Sequence, residues 1–172
     1  MTLETLLTAV RSRSTGIGSH IHGETHWRTV GGFGLALADA EPGADRAVVF
    51  LFALLHDTMR ENDGHDPQHG PRAAELARAL HTEGLLGIRE QQVDVLRTAC
   101  GGHADGEVSS DPTVGVCWDA GRLDLPRVGV TPLPRLLSTR AARETPSRRP
   151  GEPPAWEDLH RRLCKGIGVR CR

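Results

Sequence analysis

Residues 51–64 read LFALLHDTMRENDG: an apolar run closes on a histidine and an aspartate, and the chain then turns strongly polar. The run starts earlier, at DRAVVF (45–50), and through residue 59 it is apolar nearly all round and long for a strand. That pattern predicts a buried central helix. RENDGHDPQHG (60–70) is a loop by its Asn, Asp, Gly and Pro content. The question is why His56 and Asp57 stand together where the apolar segment stops.

Outward from this stretch, helical spacing recurs and β-alternation is missing, so the expected class is all-α. TLETLLTAVRS (2–12) has apolar positions at helical spacing, with Thr2 as N-cap. A glycine-rich loop follows, then a helix from Glu24 to about Ala40 that the Gly31-Gly32 pair weakens. PRAAELARALHTEG (71–84) is a helix stopped by Gly84, and IREQQVDVLRTAC (88–100) is amphipathic. TVGVCWDAGRLDL (113–125) starts at a proline and reads as a further helix. The composition changes near Glu144, where RETPSRRPGEPP begins. The expected division is one helical domain over 1–143, then a Pro/Arg-rich linker and partly ordered tail over 144–172, with a short helix at WEDLHRRLCK (156–165).

Composition narrows the function. An apolar share of 38% and a charged share of 25% suit a globular chain, and 172 residues suffice for one full core. The formal net charge of −1 gives no bulk pull toward a nucleic-acid polymer or an anionic membrane. No apolar stretch approaches the ~20 residues that span a bilayer. The cysteines, Cys100, Cys117, Cys164 and Cys171, form no C-x-x-C pair and no secretory segment opens the chain, so reduced thiols and a cytoplasmic location are expected.

Nine histidines are many for this length, and they cluster. His26 lies in a predicted helix, His56-Asp57 ends one, His69 begins the next, and His103 follows the one after. Helix ends let such side chains point into a common cleft. Imidazoles with one carboxylate suit Mn, Fe, Co, Ni or Zn. His22, one turn before His26, is placed on the same helix face. His20, His65, His81 and His160 read as surface residues, and Trp27 and Trp118 as core.

THWRTV (25–30), LLHDT (54–58), HGPRAA (69–74), GGHADG (101–106) and WDAGRLD (118–124) resemble the successive motifs of HD-domain metal-dependent phosphohydrolases. The resemblance runs from about residue 20 to 140. It implies an HD-like helical bundle and a divalent metal centre of one or two ions acting on a small phosphorylated molecule. By position, His26, His56 and Asp57 would hold the first ion. His69 and His103 would hold a second, with Asp57 bridging. Such ions clamp a phosphoryl group and acidify a water. Asp57 thereby also takes a catalytic role, with His22 and Asp124 as further candidates. Arg60, Arg72 and Arg122 are candidates for phosphate recognition or for structural ion pairs.

One position departs from the family pattern D-A-D-R-L-D: its last metal-binding aspartate falls on Gly121. At ~100° per residue, Asp119 faces about 200° away from position 121, and Asp124 lies about 60° off and one turn along. Asp124 is expected to reach the site only through a water or a shifted helix end. Two other readings remain open: an HD-type diiron oxygenase, and a degenerate HD-fold binding protein.

Overall fold

The computed structural model describes residues 2–146, 151–166 and 168. Residues 147–150 of the expected linker, and 167 and 169–172 of the expected tail, lie outside them. The described residues are all helical, with no strand: α1 (Leu3–Arg11), α2 (Glu24–Ala40), α3 (Arg46–Leu55), α4 (His69–Thr82), α5 (Glu90–Gly102), α6 (Pro112–Leu123), α7 (Arg140–Glu144) and α8 (Trp156–Gly166). Two short 3-10 turns, Leu125–Val128 and Pro134–Leu136, lie between α6 and α7.

The central helix is α3. Asp45 caps it by accepting from the backbone N–H groups of Ala47 and Val48 at 3.0 and 3.2 Å. Every residue from Val48 to Leu55 is buried, because α2, α5, α6 and α8 pack around this helix. Burial of each large apolar side chain here is worth about 1.5–3 kcal/mol, so a helix apolar all round is stable only at this position. α4 and α5 pack on each other across a short loop whose Gly84 and Gly87 take φ of +73° and +64°. Gly84 thus stands where a helix stop was expected.

Close packing explains the glycines of α2. A Cβ on Gly31 would stand 2.8 Å from Leu159 Cδ1 of α8, and one on Gly34 would stand 2.7 Å from Val49 Cγ1 of α3. The helix gives up propensity there and gains close approach of two neighbours. Trp156, Leu159 and Leu163 of α8 are buried, so the core draws on residues beyond 144. Trp156 sits edge-on to Phe50 at 5.7 Å and its Nε1 donates to Glu24 at 2.9 Å. Cys100 and Cys117 are free and buried, but Cys164, expected as a thiol, is disulfide-bonded. No helix among the described residues is long and apolar enough to cross a membrane.

Candidate metal centre

Helix ends build the site. His56 caps the C-terminus of α3, and Asp57 follows in the tight turn secured by Thr58 N and Oγ1 donating to Leu55 O at 3.1 and 2.7 Å. His69 opens α4, His103 caps the C-terminus of α5, and His26 lies in the first turn of α2. His22 precedes the α2 cap Gly23, so it is not on a helix face with His26 as expected. The turn carrying it is fixed by Ser19 Oγ, which accepts from the Ile21 and His22 N–H groups, and by Trp27 Nε1, which donates to His22 O at 2.6 Å.

Each of His26, His56, His69 and His103 spends its Nδ1 outward. His56 Nδ1 donates toward Phe52 O and Ala53 O at 3.2 Å each, His103 Nδ1 to Cys100 O at 2.7 Å, and His69 Nδ1 to Asp66 O. His26 Nδ1 donates to Asp124 Oδ2 at 2.5 Å. Carbonyls and ionised carboxylates only accept, so Nδ1 carries the proton in each ring and Nε2 is left with a lone pair. Those Nε2 atoms converge. His26 and His56 approach to 3.1 Å, and His69 and His103 to 2.9 Å.

Asp57 lies between the two pairs. Its Oδ2 is 3.5 Å from His26 Nε2 and 3.7 Å from His56 Nε2. Its Oδ1 is 3.3 Å from His69 Nε2 and 3.4 Å from His103 Nε2. Burial pushes the His56 imidazole well below its ordinary pKa, and burial likewise lowers His69. Burial works to raise Asp57, but His56, His103, His22 and His26 around it outweigh that and hold its carboxyl well below the usual range.

This arrangement fits a cation. With each Nδ1 committed outward, the Nε2 atoms of each pair face one another at a distance that is repulsive unless a proton or a metal ion lies between them. Donors about 2.1 Å from a common ion at 90–109° stand about 3.0–3.4 Å apart, close to the observed separations. Two overlapping triads here, His22/His26/Asp57 and His56/Asp57/His103, each bring one donor atom per residue within 4.8 Å of the others, and the second takes one ring from each of the pairs above.

The other expected residues fall in different places. Asp124 contacts the centre directly through His26, not through a water, because α6 ends at Leu123 and the chain turns at Asp124. Asp119 faces away and accepts from Ser138 N, Thr139 N and Thr139 Oγ1, joining α6 to the start of α7. Arg60 lies at the centre: its Nε donates to Asp57 Oδ1 at 3.0 Å, and its Nη2 is 3.3 Å from His69 Nε2. Arg72 does not line the cavity. It is drawn to Met59 O and Asp66, a structural clasp. Arg122 lines the cavity, but its terminal nitrogens donate to Leu136 O and Glu107 O at 2.5 Å each, holding two loops together. Gly121 opens onto the cavity, and a Cβ there meets nothing within 4 Å.

The cavity beside the centre measures about 340 Å³. Its lining includes the polar His22, His26, His56, Asp57, Arg60 and His103, the apolar Phe52, Trp118, Leu125, Leu133 and Leu136, and Gly121, Arg122 and Arg127. Trp118, expected in the core, is half-buried and anchored by Nε1 donating to Ala99 O at 2.9 Å. Arg127 was missed in the sequence. It follows Asp124 by three residues, donates from Nε to Ile21 O at 3.0 Å, and places Nη2 3.5 Å from His22 Nδ1. Its only sequence signal was that spacing.

No protein-family model matches the chain, and no curated protein sequence matches it. In solved structures, the crystal structure of a predicted HD superfamily hydrolase from an uncultured Thermotogales bacterium is similar at a TM-score of 0.64 and 24% identity, covering 96% of this chain and 89% of that one. The fold is an HD-domain helical bundle. Likeness at this identity is a likeness of fold, and the centre rests on the distances above.

Proposed function

We propose that this HD-fold protein is a metal-dependent hydrolase acting on a small-molecule phosphate ester, a nucleotide being one such substrate. The observation that carries the reading is Asp57, whose two oxygens each face a separate pair of Nε2 atoms. His26, His56 and Asp57 would hold one divalent transition metal, and Asp57, His69 and His103 a second. When bound, such ions neutralise charge on a phosphoryl group and lower the pKa of a water. Arg127 and Arg60 line the cavity at this point, and a phosphoryl group would draw their guanidinium groups away from Ile21 O and Asp124 O and from Asp57 and Gly64 O, which they bond here. Asp124 holds the His26 ring by Nδ1 and so keeps Nε2 aimed inward. The apolar wall of Phe52, Trp118, Leu133 and Leu136 holds the rest of the ester and excludes water from the departing oxygen. In the hydrolysis, water oxygen bonds to phosphorus, the ester P–O bond breaks, and the alcohol leaves with a proton.

Protein loaded in turn with Mn, Fe, Co, Ni and Zn, assayed on a panel of phosphomonoesters, is expected to release phosphate. Asp57→Ala should abolish the release. No release with any metal would refute the hydrolase. Oxygen consumption by an iron-loaded form would favour the diiron oxygenase, and metal binding without turnover would favour a binding protein.

A further inference from the structure

The position that matches the family's last metal-binding aspartate is glycine, which leaves the first ion with only His26, His56 and Asp57 from the matched motifs. We propose that His22 supplies the missing ligand through Nδ1. This rests on the metal-centre reading above. His22 Nδ1 lies 2.9 Å from Asp57 Oδ2, the same oxygen that faces His26 and His56; without an ion it donates its proton to that carboxylate, and an ion held there would displace that proton to solvent. One ring nitrogen of His22 also lies within 4.8 Å of a ring nitrogen of His26. With the separations of 3.1, 3.5 and 3.7 Å among His26, His56 and Asp57, these atoms describe most of the edges of a ligand tetrahedron. Four-coordinate sites of imidazole and carboxylate have this size.

Two further observations agree. The His22 ring meets His26 edge-on at 6.1 Å, and His22 and Gly121 both line the cavity beside the centre. The turn carrying His22 is held by Ser19 Oγ and the Trp27 indole, so the ring is positioned before any ion arrives. A carboxylate reaching from α6 and an imidazole reaching from this turn are alternative ways to fill one vertex. Gly121 has the open space to accept the former.

The test is zinc titration by calorimetry of the metal-free protein, comparing wild type, His22→Ala, Gly121→Asp and the double variant, with long-range ¹⁵N NMR of the zinc-loaded wild type. His22→Ala is expected to weaken one site at least tenfold and leave the other within threefold. Adding Gly121→Asp to it should restore that site at least tenfold. In the spectra, His22 Nδ1 should be unprotonated and shifted by zinc. Two results overturn the proposal while the centre stands: both sites unchanged in His22→Ala, or Nδ1 still protonated when zinc is bound, which would make His22 a positioning residue for Asp57. A wild-type protein that binds no zinc would refute the centre and the proposal together. Circular dichroism identifies any variant that fails to fold, and His22→Gln, which keeps a side chain of similar reach without an imidazole, then takes the place of His22→Ala.

Discussion

The chemistry of the centre is decided by which nitrogen each imidazole commits outward. His56 and His103 give Nδ1 to carbonyls of their own helix's last turn, and His26 gives it to Asp124. The last of these is testable. Asp124→Asn keeps the shape but removes the charge that makes the His26 ring a strong donor. Affinity for one zinc should fall about 10–100-fold, as is usual when such a partner is lost, while the fold and the other site persist. Unchanged affinity in calorimetric titration would show that Asp124 does not support the ligand. The residue types of this centre were legible in the sequence, because histidines at predicted helix ends stood out from an otherwise ordinary composition. The Asp124 contact was legible only as one of two routes, a water or a shifted helix end, since counting 100° per residue assumes a helix that continues, and α6 stops one residue earlier. Arg127 was illegible for the same reason: it projects from a 3-10 turn with no periodicity to read.

At the scale of elements, the all-helical class was readable from the 45–59 run, which only a core helix accommodates. The packing of α8 was less so. Its segment follows a Pro/Arg-rich stretch and has low mean hydropathy, and the signal of its docking lay elsewhere, in Gly31 of α2. Leu159 fills the space that Gly31 leaves and is 2% exposed. Leu159→Ala should therefore destabilise the protein by about 2–5 kcal/mol, read from urea unfolding. A cost below 1 kcal/mol would mean that α8 is not part of the cooperative unit. Arg162 and Arg46 both meet Asp39, but such exposed pairs add little.

For the whole molecule, the candidate centre is expected to tie stability to pH and metal. His56 and His69 have folded-state pKa values below the ordinary 6.5, so the folded protein binds fewer protons than the unfolded chain in acid. Their contribution is present above pH 6.5 and is lost as pH falls through the lower folded values. Asp57 is also depressed, so its share is present above 3.8 and lost only below that. The melting temperature of metal-free protein should thus drop on going from pH 7 to pH 5. Saturating zinc should raise it at pH 7, since binding adds about 4 kcal/mol of stability at a thousand times Kd. Identical melting curves at both pH values would contradict this view of the buried imidazoles.

The central claim is that Asp57 joins two pairs of imidazoles into one metal centre. An anomalous-difference map from crystals grown with zinc tests it most directly. Two strong peaks are expected, one on each side of the Asp57 carboxylate, the first against His26 and His56 and the second against His69 and His103. A map with no anomalous density among these four rings would contradict it.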